Sequence, residues 1–287
     1  MTRKLGLVLG SGSARGWAHI GVIRELEAMG CKPDIVCGCS IGAFVGAAYA
    51  NQDLDALEKW VRSLTWQGVL KLLDIGFSGG LLKGEKLLAL FESHFAERSF
   101  SDLTVPFACV ATQLATGREI WLREGRLSAA VRASTALPGL FRPVMHEGQL
   151  LVDGALVNPV PVSLARALGA DIVIAVDLGS DLVGRASRGR EVQQAVKEGW
   201  RRSLAGRLGF TSEGGIPSMA SVIETSINIM QTRIARSRLA GEPADVQLSP
   251  RLAHLALMDY HRADEAIFEG REVVKRMLPV IELVLKS

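Results

Sequence analysis

One serine in this chain sits where a strand, a sharp turn and a helix meet. The apolar run Ile35-Val36-Cys37 leads into Gly38-Cys39-Ser40-Ile41-Gly42, and a helical run of small residues continues from Gly42 to Ala50. A G-x-S-x-G in that setting predicts a nucleophile elbow, where the backbone turns back tightly and presents the serine hydroxyl. Gly38 and Gly42 let the backbone close around Ser40 and keep the approach to its hydroxyl open.

The rest of the chain carries the same alternation. Leu5–Leu9 reads as a buried strand, Ala18–Met29 as a helix with Ile20, Ile23 and Leu26 toward the core, and Gly30 and Pro33 as its stop. Further strands are expected at Asp34–Cys37, Val105–Ala111, Glu119–Leu122, Leu150–Val152, Ile172–Val176 and Ala244–Leu248, with Glu119–Leu122 a hairpin partner across Ala115-Thr116-Gly117. Helices are expected at Ile41–Ala50, Leu54–Leu64 and Ser218–Leu239, and one or two more over Tyr260–Leu285. Short strands separated by helices imply a mostly parallel sheet with right-handed crossovers. The 287 residues, 48% of them hydrophobic, suffice for one large α/β domain, and no linker demands a split.

Charge excludes one class of partner. A net charge of +3 is too mild to argue for nucleic acid. Cys31, Cys37, Cys39 and Cys109 have no spacing that favours a zinc knuckle or a local disulfide, which fits reduced thiols in a cytoplasmic protein. The five-residue apolar run after Arg3 and Lys4 is too short for a signal peptide, and no window is long enough to span a membrane. Attachment at the inner membrane surface stays open.

A serine nucleophile needs a base. None of His19, His94, His146, His254 and His261 lies in a segment marked as a catalytic loop, although Ser40, Asp153 and His254 or His261 would supply the order Ser…Asp…His. Asp153 follows a short strand and precedes Gly154, so its carboxylate falls at a strand end, where α/β sheets bind ligands. An Asp-Gly is equally a plain turn, and an aspartate near pKa 4 is a poor base unless its surroundings change it. The loop Gly10-Ser11-Gly12-Ser13-Ala14-Arg15-Gly16 between a strand and a helix could cradle a pyrophosphate. Its spacing is wrong for that, and the second strand lacks an acidic ribose partner. The same geometry offers backbone N–H groups to an oxyanion.

Together these segments resemble the patatin-like phospholipases, in their small bacterial single-domain branch. The likeness rests on the glycine-rich loop with Arg15-Gly16, His19-Ile20-Gly21-Val22, the elbow at Gly38–Gly42 and Asp153-Gly154-Ala155. The runs Ala133-Ser134-Thr135-Ala136-Leu137-Pro138-Gly139-Leu140-Phe141-Arg142-Pro143 and Asn158-Pro159-Val160-Pro161 also fit it. The resemblance implies a three-layer α/β/α patatin-like fold over residues 1–287, with its catalytic core in roughly 5–165. It implies a lipid acyl hydrolase of phospholipase A or lysophospholipase type, working through an acyl-enzyme. Ser40 would be the nucleophile and Asp153 its base. The oxyanion hole would be formed around Gly12 and Ser13, with Arg15 beside them, and no cofactor or metal is called for. Two departures stand out: Ser11 and Ser13 replace glycines of the family's loop, and Ala155 replaces the last glycine of its D-G-G. A positive φ at Ser13 would carry strain.

Two other segments invite functional readings. Trp66–Leu82, apolar and glycine-containing, could form a lid or a lipid-facing surface, or be ordinary core. Residues 180–217 are basic and read as a flexible loop, or as a dock for an acidic partner in a regulatory protein whose esterase activity is secondary.

Overall fold

The computed structural model describes residues 3–72, 98–182 and 219–286. In chain order, β1 (Leu5–Leu9) passes through a 3-10 turn (Ser13–Trp17) into α1 (Ala18–Ala28), and β2 (Ile35–Cys39) into α2 (Ile41–Ala50). Next come α3 (Leu54–Arg62), α4 (Trp66–Leu72), β3 (Phe107–Gln113), β4 (Glu119–Leu122) and α5 (Leu127–Ser134). After β5 (Val144–His146), β6 (Gln149–Asp153), α6 (Val162–Ala167) and β7 (Ile172–Val176), the chain ends with α7 (Met219–Gly241), β8 (Val246–Leu248) and α8 (Ala263–Lys286).

The eight strands of the described residues join one sheet. Its order is β5-β6-β3-β2-β1-β7-β8, with β4 also paired to β3. The run from β3 to β8 is parallel, and β4, β5 and β6 are antiparallel to their neighbours. Strands covered on both faces show apolar residues at every position. On one face Leu5, Leu7, Leu9, Val36, Cys109, Ile172 and Ile174 pack against α1, α2, α3, α5 and α8. On the other, Val8, Ile35, Cys37, Ala108, Val110, Val173 and Ala175 meet α6 and Ala235 of α7. This is the expected three-layer α/β/α arrangement. Among the described residues, no helix is long and apolar enough to cross a membrane.

The way β3 shares its edges positions the site. The Val36 N–H donates to the Pro106 carbonyl at 2.9 Å and the Leu114 N–H to the Leu150 carbonyl at 2.8 Å. The Gln113 N–H instead donates to Arg118. Successive residues of a strand turn their backbone groups to opposite edges. The even-numbered residues along β3 therefore serve both β2 and β6, and the odd ones serve β4. So β2 and β6 lie tip to tip along one edge of β3. Cys39 stands opposite Val110, and Asp153 opposite Ala111, the next residue along.

Several expected boundaries shift. β2 runs to Cys39 rather than Cys37, because the glycine at 38 is held flat against α2 rather than starting the turn. The sequence gives no sign of β5, α5 and α6, each being too short to show a periodic pattern. The C-terminal stretch is a single helix, α8. Of Trp66–Leu82, the first part is α4, with Val69 buried in the core, and residues 73–82 lie outside the described residues. The basic segment 180–217 also lies outside them beyond residue 182.

Candidate active site

Ser40 stands alone between β2 and α2, with φ 56° and ψ −124°. A positive φ is strained for a residue with a Cβ, so close packing must hold it. A Cβ on Gly42 would come 2.0 Å from the Leu9 carbonyl oxygen, and one on Gly38 would come 2.5 Å from the backbone of Ala43. Both elbow glycines thus answer to close backbone contact. A hydrogen-bond relay also braces the turn: the Ser40 N–H donates to Ser134 Oγ at 3.0 Å, and that hydroxyl donates to the Val110 carbonyl at 2.7 Å. Ser134 lies in one of the runs that fit the family resemblance, but nothing in its sequence context marks this role.

The tip-to-tip strands bring Ser40 and Asp153 together. Ser40 Oγ donates to Asp153 Oδ2 at 2.6 Å, and the Ala155 N–H donates to Oδ1 at 2.8 Å. The Asp153 backbone is fixed at both ends, its N–H donating to Ala136 and its carbonyl accepting from the Thr112 hydroxyl. Asp153 is completely buried, and burial raises its pKa to about 7 against the lowering effect of those two hydrogen bonds. That is the environment a carboxylate needs to act as a base near neutrality. Gly154 is required here because a Cβ would fall 2.2 Å from the Val110 carbonyl oxygen.

The glycine-rich loop faces the same cavity. Gly10 and Ser11 donate their N–H groups to Val176 and Pro159, and Ala14 donates to Leu257. Among the described residues, the Gly12 and Ser13 N–H groups have no acceptor. Both residues line a cavity of about 30 Å³ with Ser40, walled by Ile41, Leu137, Leu140, Phe141, Ile227 and Leu257. Ser13 has φ 51°, the strained conformation expected for a serine in a glycine position. Gly10 and Gly16 pack against Val176 and the Ile41 side chain, where a Cβ would approach to 2.6 and 2.3 Å.

Arg15 requires a correction. It does not line this cavity. Its backbone N–H and its Nε both donate to the Gly12 carbonyl, at 3.3 and 3.2 Å, and Nη2 donates to Asn228 Oδ1 on α7. The buried guanidinium therefore braces the loop from behind. His19 does so as well: its Nε2 donates to the Gly10 carbonyl at 2.8 Å, and burial lowers its pKa to about 4, keeping the ring neutral. The alternative bases are placed differently. His254 pairs with Glu265 at 2.5 Å, whereas His261 lies edge-on to Trp66 with its buried Nδ1 lacking a hydrogen-bond partner among the described residues. Cys37, Cys39 and Cys109 are buried free thiols, and burial pushes their pKa values up, which keeps them protonated.

Comparison with known proteins gives concordant findings. A family model described as patatin-like phospholipase matches residues 7–166. Uncharacterized NTE family proteins of Mycobacterium bovis and Mycobacterium tuberculosis are 32% identical over 98% of this chain and 92% of their own length. A protein of Coccidioides immitis named lysophospholipase NTE1 is 30% identical over 96% of this chain, which spans 18% of that protein. Among solved structures, VipD from Legionella pneumophila superposes with a TM-score of 0.58 at 14% identity, covering 97% of this chain and 67% of that one. That last likeness is one of fold alone.

Proposed function

The chain belongs to the patatin-like phospholipase family, and on that basis we propose that it hydrolyses carboxylic esters of lipids through a Ser40–Asp153 dyad. The observation that carries this reading is the 2.6 Å hydrogen bond from Ser40 Oγ to a buried carboxylate whose pKa lies at about 7. Ser40 Oγ attacks the ester carbonyl as its proton passes to Asp153. The oxyanion of the tetrahedral intermediate accepts from the Gly12 and Ser13 N–H groups. Collapse expels the alcohol, which takes the proton back from Asp153, and leaves an acyl-serine. Water, deprotonated by Asp153, then attacks that ester, and the fatty acid leaves as the proton returns from Asp153 to Ser40 Oγ. No step needs a histidine, a metal or a cofactor. Arg15 acts as a positioning residue that fixes the Gly12 carbonyl.

The chain is proposed as one domain, because β7 and β8 complete the sheet that carries the elbow. Contact with a lipid surface is proposed through the antiparallel wing. There Met145 pairs with Leu150, and Leu150 with Leu114, a row of apolar side chains 64%, 43% and 49% exposed. It lies beyond the end of β2, and the cavity-lining residues 137–141 lead straight into β5.

The test is hydrolysis of a p-nitrophenyl ester, a lysophospholipid and a diacyl phospholipid by wild type and Ser40→Ala. Turnover by wild type and none by Ser40→Ala supports the reading, and equal turnover by both sinks it.

A further inference from the structure

Ser13 occupies a left-handed backbone position, φ 51°, that ordinarily belongs to glycine. A Cβ there is strained, so something in this chain must hold it. The hydroxyl that distinguishes serine from glycine is fully engaged: Ser13 Oγ lies 2.7 Å from the Leu257 carbonyl and 2.6 Å from the Tyr260 phenol. A carbonyl can only accept, so Ser13 donates to Leu257, and the Tyr260 O–H must donate to Ser13 Oγ. The result is a directed chain from Tyr260 through Ser13 to Leu257, 244 residues further along the sequence. The Tyr260 ring is itself pinned. It is buried against Trp17 in an edge-on contact of 5.8 Å, and Trp17 Nε1 donates to the Tyr260 carbonyl at 3.1 Å. The Ala14 N–H closes the clamp on the Leu257 carbonyl.

We infer that Tyr260 is a positioning residue for the oxyanion loop: through the Ser13 hydroxyl it holds Ser13 in the strained conformation in which its N–H has no acceptor among the described residues, in the cavity shared with Ser40. This rests on the reading of Gly12 and Ser13 as oxyanion donors. On it, Ser13 and Tyr260 form one device. The serine introduces the strain, and its hydroxyl supplies the handle by which the phenol offsets it.

A double-mutant cycle tests the device, read by the rate at which a fluorophosphonate modifies Ser40 and by kcat and KM on a p-nitrophenyl ester. Tyr260→Phe keeps the ring packing and removes only the donor. In the native background it is expected to slow modification and lower kcat about tenfold, the worth of roughly one hydrogen bond, with KM little changed. In a Ser13→Gly background, where no Cβ strain needs holding, the same change is expected to cost less than about twofold, since the partner hydroxyl is gone. Ser13→Ala, which keeps the Cβ and lacks the handle, is expected to be slower than Ser13→Gly. Equal losses from Tyr260→Phe in both backgrounds, or a loss confined to KM, would overturn the inference. Hydrogen exchange over residues 10–17 reads the latch without catalysis: faster exchange in Tyr260→Phe supports it, and unchanged exchange refutes it. If the native protein reacts with no phosphonate, the catalytic reading has failed, and the exchange result still decides the latch.

Discussion

Burial raises the Asp153 pKa to about 7, because its two hydrogen bonds do not make up for lost hydration. Two results are expected. First, kcat/KM should rise with unit slope as pH increases toward about 7, where an ordinary aspartate would give a flat profile down to pH 4. Second, the folded pKa lies above the unfolded one, so the stability linked to this carboxyl is complete below about pH 4 and lost as pH rises through about 7. Asp153→Asn should accordingly raise the melting temperature at pH 8, since an amide can still accept from Ala155 and donate to Ser40. How legible each residue was follows from how local its role is. Ser40 was legible because an elbow is encoded within five residues. From the residues alone Asp153 is no more than a strand-end Asp-Gly, since its partner is 113 residues away, and only the family resemblance pairs it with Ser40. The family resemblance sets Arg15 beside the oxyanion loop, but its side chain turns to Gly12 and Asn228, and no spacing rule reports the direction of a side chain.

Between elements, the site depends on two close approaches. The elbow helix α2 rests directly on the end of β1, so Gly42→Ala is expected to destabilise the fold by more than about 3 kcal/mol, measured by chemical denaturation. The second approach is the crossing of α1 and α8. A Cβ on Gly21 would lie 1.9 Å from the Ile267 carbonyl oxygen, and one on Gly270 would lie 2.0 Å from that of Ala18. The helices touch backbone to backbone there, and Gly270→Ala should cost about 2–4 kcal/mol without altering the catalytic groups themselves. Strands β1, β4 and β7 and helix α2 were legible to the residue because each carries an uninterrupted pattern with clear stops. The junction of β2 and β6 was not. It depends on which edge of β3 each strand takes, and register between distant segments leaves no local pattern.

At the scale of the whole molecule, a parallel half anchors Ser40 and the glycine-rich loop, and an antiparallel wing delivers Asp153. Burial on both faces stiffens the sheet, which suits a site whose serine and loop both hold strained backbones. The wing also carries the exposed row Leu114, Met145 and Leu150. Replacing Met145 and Leu150 with serine should weaken cosedimentation with phospholipid vesicles and leave hydrolysis of a soluble ester intact. Equal loss of both would mean the row supports folding instead. In the proposed mechanism Asp153, with no histidine, activates Ser40. This is tested most directly by measuring kcat/KM on a soluble p-nitrophenyl ester at pH 8 for Asp153→Asn and for the pair His254→Ala and His261→Phe. Asp153→Asn is expected to lose about a thousandfold, and the histidine pair to stay close to wild type. Near-normal turnover in Asp153→Asn, with collapse in the histidine pair, would contradict it.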